Sequence, residues 1–316
     1  MNKSPSLSVH ILTYNCEKYI EATLKSVLAQ KTTFKFEIVI GDDHSNDGTN
    51  QILSCYAQQY PKLIRYKQNE QQLGILKNFK ATLDRCNGIY VFDIAGDDLL
   101  KHENVLQKLV DHLSKDKTLG FVDSGYDEYY EKQKKNVPFA NKFAIQSHNR
   151  QYKELLLLGK IFPVGVCYNK QALYDFVDFE TYINQSISFE DYPILVDLAM
   201  HTNYGKINES LHIYRIHNKS FSHGKDFETL LLFKTQMLQL AKYFTEKYNL
   251  PSDILIAHKN TYHIGCLYIA GVFGQKELGK NMYLKLKKPF NLKLYGYYLC
   301  SQYKFFRTLA NPLRKF

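Results

Sequence analysis

The sequence predicts an α/β fold, a Rossmann-like and mostly parallel sheet with helices on both faces, plus a C-terminal helical extension. Three observations lead there. Over the first hundred residues, short apolar runs alternate with segments of helical periodicity, a pattern that calls for crossover connections between parallel strands. Two of those runs end in the same tripeptide, Gly-Asp-Asp, at 41–43 and again at 96–98. Beyond about residue 226 the strand-like runs stop, and helical periodicity continues to a basic end.

Each element has its own justification. LSVHILTYN (7–15) is a continuous apolar run, as strands buried on both faces read. CEKYIEATLKSVLAQ (16–30) places Tyr19, Ile20, Leu24, Val27 and Leu28 at helical spacing. FEIVIGDD (36–43) is a second strand, and SNDGTNQILSCYAQQY opens on cap and turn residues before turning helical. LIRYKQN is a third strand, GILKNFKATLDRC a helix with Gly88 near its end, and GIYVFDIAGDD a fourth strand. From about 101 the pattern loosens. ENVLQKLVDHLSKD reads as a helix, LGFVDSGYDEYY as a strand and EKQKKNVPFANKF as a polar connection. YKELLLLG, KIFPVGVCYNKQAL, SISFEDYPILVDLAMHT and KINESLHIYRIHNKSFSH follow, ending near 223. ETLLLFKTQMLQLAKYFTEKY and ILIAHKNTYHIGCLYIAGVF are then helical, and a soft boundary falls at 222–226.

With 316 residues, 45% of them hydrophobic, the chain is long enough for one large or two modest cores. No window of about eighteen apolar residues appears, so no transmembrane helix is expected, and nothing before the first strand resembles a signal peptide. The six cysteines are scattered without paired spacing, which suits reduced thiols in a cytosol better than a zinc site. The net charge of +10 is concentrated at the end, because no acid follows Glu277 while nine lysines and arginines do. No recognition module for nucleic acid accompanies that charge, and no nucleic-acid partner is expected.

The acid pairs carry the functional reading. Taken alone, adjacent aspartates at a strand end mean a solvated turn or a helix cap. In an open parallel sheet, however, ligands bind outside the carboxyl ends of the strands, and Asn15, Asp42, Asp43, Asp97 and Asp98 all fall there. Carboxylates at such an edge suit a hard divalent ion, Mn²⁺ or Mg²⁺, held with substrate phosphates. Dinucleotide, P-loop and nucleophile-elbow motifs are absent.

Five stretches, "VHILTYN", "IVIGDDHSNDGT", "LGILKNFKATLDRCNGIYVFDIAGDD", "ISFEDYPILVDLA" and "LHIYRIHNKSFSH", resemble the family 2 glycosyltransferases of the GT-A fold, of the type that builds bacterial polysaccharides. They stand in family order across roughly residues 5–223. The resemblance implies a catalytic domain over 1–223, with nucleotide-sugar binding in about 1–100 and acceptor binding in about 101–223, and an extension over 224–316. It implies that Thr13 and Tyr14 cradle the nucleobase, with Asn15 beside them, and that Asp43, next to Asp42, holds base or ribose. Asp97 and Asp98 match the family's metal motif, although Ala95 stands where its first carboxylate is usual, and Asp93 lies two residues too early to replace it. Glu190 and Asp191 match the family's acid pair, with Asp191 as general base for an inverting transfer. The bland reading of that pair is helix capping, with Ser188 as cap.

Three further residues stay open between two readings. His217 approaches the metal or the β-phosphate, or is structural. Arg215 pairs with phosphate or with a sheet acid. Lys77, after a glycine at a helix start, contacts the anion or simply faces solvent.

The expected activity is transfer of a sugar from a nucleotide-diphosphate donor, UDP-linked, to a hydroxyl of a glycan or lipid-linked acceptor in surface polysaccharide synthesis. A sugar nucleotidyltransferase is the alternative enzyme, although HILTYN lacks its glycine-rich phosphate loop. A non-catalytic carbohydrate- or membrane-binding protein is the other alternative. The tail, 283–316, mixes basic residues with an apolar stripe of Leu292, Leu294, Tyr295, Tyr298, Leu299, Tyr303, Phe306 and Leu309. That stripe suits an amphipathic helix on anionic lipid, which would place a cytoplasmic enzyme at the inner face of the membrane, or a pair of helices packed on a core.

Overall fold

The computed structural model describes residues 5–138, 149–161, 163–217, 226–286 and 291–310. The chain divides into two units, one of Met1–Leu156 with Lys160–His217 and one of Leu157–Gly159 with Asn218–Phe316.

The first unit opens with β1 (Leu7–Thr13), α1 (Ile20–Leu28), β2 (Phe36–Asp42), α2 (Thr49–Gln59), β3 (Ile64–Gln68), α3 (Ile75–Leu83) and β4 (Tyr90–Ala95). These are the elements expected from periodicity. A short β5 (Leu99–Leu100) and α4 (Val105–Ser114) follow. The long β6 (Leu119–Tyr130) leads through a 3₁₀ turn at Glu131–Gln133 to β7 (Lys135–Val137), where a plain polar connection was expected. The unit closes with α5 (Asn149–Leu157), β8 (Val166–Asn169), α6 (Lys170–Phe176), α7 (Phe179–Asn184), α8 (Asp191–His201) and β9 (Asn203–Ile216).

All nine strands join one sheet in the order β3-β2-β1-β4-β8-β6-β9-β5, with β7 on β6. The first four strands are parallel throughout. Beyond β4 the sheet is mixed: β8 runs antiparallel to β4 and β6, β5 antiparallel to β9, and β6 parallel to β9. The fold is an α/β sheet with helices, followed by a helical region.

Central strands are apolar on both faces because helices cover both. Leu7, Val9 and Ile11 of β1 and Ile38 and Ile40 of β2 form one core with Ile20, Leu24 and Val27 of α1 and Leu106 and Leu109 of α4. Each such side chain contributes about 1.5–3 kcal/mol when fully buried. His10 is the polar exception in β1. It is fully buried, its Nδ1 lies 2.5 Å from Asp93 Oδ1 of β4, and its Nε2 lies 3.1 Å from the Phe79 carbonyl. A carbonyl only accepts, so Nε2 donates in that contact. The pairing with His10 fixes Asp93 to the sheet.

The topology sets the site. From β1 the chain winds outward through β2 and β3, then returns to β4 on the other side of β1. The carboxyl ends of β1 and β4 therefore form the switch point where open α/β sheets bind ligands.

In the second unit α9 (Phe227–Lys247), α10 (Ser252–Phe273), α11 (Lys276–Lys285), α12 (Leu292–Gln302) and α13 (Lys304–Ala310) are described. Asp226 caps α9 through the Thr229 N–H, and Gly274, at φ 71°, ends α10 in the left-handed region that glycine tolerates. Cys266 and Leu267 of α10 pack with Met282, Leu286 and Leu294. Of the two readings left open for the tail, the described residues form a pair of helices, separated at Tyr303, which adopts an extended conformation (φ −125°, ψ 126°). Of the stripe, Leu294 and Tyr298 join this core, whereas Leu292, Tyr303, Phe306 and Leu309 are exposed, as is the neighbouring Phe305. No helix among the described residues is long and apolar enough to cross a membrane. His223, Lys287, Lys288, Arg314 and Lys315, which entered the sequence reading, lie outside the described residues.

Candidate active site at the carboxyl edge of the sheet

The second Gly-Asp-Asp explains itself locally. Gly96 N donates to the Leu12 carbonyl at 2.8 Å, and a Cβ at Gly96 would stand 2.7 Å from Thr13 Cγ2. Glycine thus lets the turn after β4 close against the end of β1. The two acids that follow diverge. Asp98 is buried, and its Oδ1 accepts from the Arg215 backbone N–H at 2.9 Å. Burial, then the Asp97 charge, raise the Asp98 carboxyl well above the usual carboxylate range. Asp97, 20% exposed, faces His217, whose Nε2 lies 2.8 Å from Asp97 Oδ2.

Arg215 ties this turn down. Its Nε donates to the Asp97 carbonyl at 2.9 Å, and Nη1 reaches Glu131 Oε2 at 3.3 Å. Its guanidinium lies 5.0 Å from the Tyr19 ring centre and 5.8 Å from that of Tyr129. Its acidic partner here is thus Glu131, in the 3₁₀ turn after β6. The Tyr19 ring also stacks on His217, with centroids 4.3 Å apart.

Asp42 and Asp43, by contrast, are both buried. Asp42 has no exposed surface. It accepts from Thr13 Oγ1 at 3.0 Å, from Gln68 Nε2 at 2.9 Å and from the Ser45 hydroxyl. It is a buried hub joining the ends of β1, β2 and β3, with no surface left for a ligand. Asp43 is also buried. It accepts from the Leu73 and Gly74 N–H groups at 2.7 and 2.9 Å and so fixes the loop into α3. Gly74, at φ 83°, sits where a side chain would be strained. Thr13 is buried against Asp42, while Tyr14 is 43% exposed. Asn15 takes φ 53°, its N–H donating to Ser45 Oγ at 2.8 Å and its Oδ1 accepting from Asn46 N at 3.0 Å. Lys77 is exposed on α3. Of the expected donor-binding set, Tyr14, Lys77 and Asp97 offer surface to a ligand, and Thr13 and Asp42 build the floor beneath it.

Glu190 precedes α8 and Asp191 opens it. Asp191 Oδ1 accepts from the Tyr192 N–H at 2.7 Å, and the N-cap position is held by Glu190, whose side chain makes no cap bond. Burial raises the Asp191 carboxyl, and burial together with the Asp191 charge raises Glu190 well above its usual range. Asp93 is within electrostatic reach of Asp98 and of both members of this pair. The two acid pairs therefore flank one stretch of β4.

Among the described residues no three His, Cys, Asp or Glu side chains converge as a closed metal set. Asp97 and His217 nevertheless fit an open site for a hard divalent ion. Their facing donors are 2.8 Å apart. Two adjacent ligands at roughly 2.1 Å from an octahedral ion stand about 3 Å apart, and Mg²⁺ binds through one or two protein ligands plus phosphates and water. Asp98 points away from that position, into the protein.

Several functional contacts escaped sequence reasoning. Tyr19 had been counted with the apolar face of α1, but it precedes the helix and faces the site. Glu131, Ser45 and Gln68 carried no signal alone, although Ser45 lies inside a recognisable stretch.

A sequence profile described as Glycosyl transferase family 2 matches residues 8–183. An uncharacterized protein of Mycobacterium tuberculosis is 28% identical over 220 residues, which are 69% of this chain and 61% of that protein. The abequosyltransferase of Salmonella typhimurium is 25% identical over 257 residues, 76% of each chain. Among solved structures, S. aureus TarS in complex with UDP-GlcNAc superposes with a TM-score of 0.54 at 16% identity, over 94% of this chain and 90% of that one. The mannosyltransferase PcManGT from Pyrobaculum calidifontis, in complex with GDP-Man and Mn2+, gives 0.55 at 15% identity, over 98% and 88%. At such identities the likeness is one of fold, and the fold is GT-A-like.

Proposed function

The chain belongs to glycosyltransferase family 2, and from that premise we propose that it transfers a sugar, with inversion, from a nucleotide-diphosphate donor to a hydroxyl of a glycan or lipid-linked acceptor. Membership of the family displaces the nucleotidyltransferase alternative. The observation that carries the proposal is the pairing of Asp97 and His217 at 2.8 Å at the switch point, together with the Glu190–Asp191 acid pair at the start of α8.

In this reading the nucleoside lies over Tyr14, on the floor built by Thr13, Asp42 and Asp43, with Lys77 on the rim. Asp97 and His217 would hold Mn²⁺ or Mg²⁺, which when bound would supply positive charge for the diphosphate. Asp191 takes the proton of the acceptor hydroxyl. The acceptor oxygen bonds to the anomeric carbon as the bond from that carbon to the diphosphate oxygen breaks on the opposite face, which inverts the centre. Glu190 adjoins that base in the buried pair, its own carboxyl raised by burial and by the Asp191 charge. A positioned base of this kind contributes about 10²–10⁴-fold. Donors bound by the structural neighbours, UDP-GlcNAc and GDP-Man, support a nucleotide sugar without choosing the base; we assign UDP as the first to test. A role in surface polysaccharide synthesis rests only on analogy with the family.

The exposed Tyr303, Phe305, Phe306 and Leu309, with Lys304 and Arg307 beside them, support peripheral binding to anionic lipid. The proposal is tested by incubating the protein with Mn²⁺ and a panel of UDP-, GDP- and dTDP-sugars and measuring release of the nucleotide. Failure of every donor to turn over or bind would reject it.

A further inference from the structure

The Asp97–His217 pair joins a turn after β4 to a residue just past β9, and each is held by contacts that meet on one ring. Tyr19 stands immediately before α1, with φ −122° and ψ −36°. Its position is fixed by its own backbone, which donates from N to the Cys16 carbonyl at 2.8 Å. Its ring lies against the His217 imidazole, with centroids 4.3 Å apart and planes 25° apart. Arg215 lies 5.0 Å from the same ring centre and holds the Asp97 carbonyl. One aromatic side chain from the start of α1 therefore touches both the imidazole and the cation that anchors its carboxylate partner.

We propose that Tyr19 is a positioning residue that sets the His217 ring so that Nε2 meets Asp97 Oδ2, presetting the pair for a divalent cation. This rests on the reading of Asp97 and His217 as the cation-holding pair. An imidazole has two torsions, and without a neighbour it samples several rotamers. Stacking selects one, and partners that orient a metal ligand typically change metal affinity by 10–100-fold when removed. The ring does this work rather than the phenol: no hydrogen bond is made by the Tyr19 hydroxyl among the described residues. Phenylalanine at 19 should therefore serve, and an aliphatic residue should not.

The test is direct Mn²⁺ binding to the full chain, with Mn²⁺ alone as probe, followed by electron paramagnetic resonance. The ¹⁵N shifts of the His217 imidazole are recorded in parallel to report its tautomer. Four variants are compared with the wild type: Tyr19→Phe, Tyr19→Leu, Tyr19→Met and His217→Ala. The two aliphatic variants guard against one failing to fold, which circular dichroism checks. The expected result is wild-type Mn²⁺ affinity in Tyr19→Phe, a loss of about 10–100-fold in the folded aliphatic variants, and mixed His217 tautomers in them. If His217→Ala weakens Mn²⁺ binding while the aliphatic variants do not, the positioning role is overturned and the cation-holding pair stands. If His217→Ala binds Mn²⁺ as the wild type does, the pair itself is wrong and the Tyr19 role falls with it. Equal losses in Tyr19→Phe and Tyr19→Leu would assign the effect to the hydroxyl and overturn the stacking argument.

Discussion

Replacing Asp42 by alanine separates two roles that a carboxylate at a strand end can play. In the structure Asp42 has no exposed surface and accepts from Thr13 Oγ1, Gln68 Nε2 and the Ser45 hydroxyl. Removing the carboxylate takes this acceptor from Thr13 Oγ1, the Ser45 hydroxyl and Gln68 Nε2, and from the longer contacts of the Ser45 N–H and the Tyr66 hydroxyl at 3.4 Å, although Gln68 keeps the Ser45 carbonyl at 3.1 Å. Each such loss costs about 1–1.5 kcal/mol, and more where the bond was to a charge, so the sum is about 3–4 kcal/mol. Asp42→Asn keeps one acceptor oxygen but sets an amide NH₂ against the Gln68 amide or the two hydroxyls, and should cost less, about 1–2 kcal/mol. The chain has no tryptophan, so urea unfolding is followed by far-UV circular dichroism, and the midpoint shift at constant slope gives the difference. Asp42→Ala is expected to unfold at markedly lower urea, with donor affinity reduced only as the floor beneath Tyr14 loosens. An unchanged midpoint with donor binding abolished would refute the hub and make Asp42 a direct ligand contact.

The other predictions test the site itself. Asp191→Asn should fold and bind donor normally while kcat falls by about 10²-fold or more, a split read from steady-state kinetics. Burial raises the Asp191 carboxyl, and a base works only when ionised, so activity should be lost as pH falls through a value above the ~3.9 of an ordinary aspartate. A kcat–pH profile with its acid limb at or below that value would contradict the assignment. Asp97→Ala should abolish the response to Mn²⁺ in a metal titration of activity, and wild-type turnover with excess chelator would remove the metal from the reaction. Deleting 304–316 should reduce co-sedimentation with phosphatidylserine vesicles, and salt should weaken the binding of the full chain because exposed charges are screened within about 10 Å at 0.1 M. Equal sedimentation of the two chains would return the tail to a purely structural role.

Periodicity was enough for β1 to β4 and α1 to α3, because a parallel sheet covered on both faces leaves continuous apolar strands separated by amphipathic helices. It was also enough to place the acids at strand ends, since the crossover rule locates those ends on one edge. The later half was less legible. β8 is four residues long and reaches the sheet between β4 and β6 after a long excursion, and pairing at that distance leaves no local signature. The direction in which each acid of a pair points was not legible either. Asp98 turns inward beside a partly exposed Asp97, while Asp42 and Asp43 both turn inward, and which outcome a pair takes depends on packing across strands. Tyr19 shows the same limit, as an aromatic at a helix start reads as core until the chain past β9 is brought against it. The sequence left one tail helix and a helix pair open, because nothing in the surrounding pattern of Lys, Tyr and Phe announces the extended backbone at Tyr303.

The most direct test of the central claim is calorimetric titration of the protein with UDP, GDP and dTDP sugars, with and without Mn²⁺, comparing the wild type with Asp97→Ala. A nucleotide-sugar transferase with its diphosphate site at the end of β4 predicts binding of at least one donor class that requires Mn²⁺ and is lost in the variant. Failure of all three donor classes to bind in the presence of Mn²⁺, or equal binding by wild type and Asp97→Ala, would contradict it.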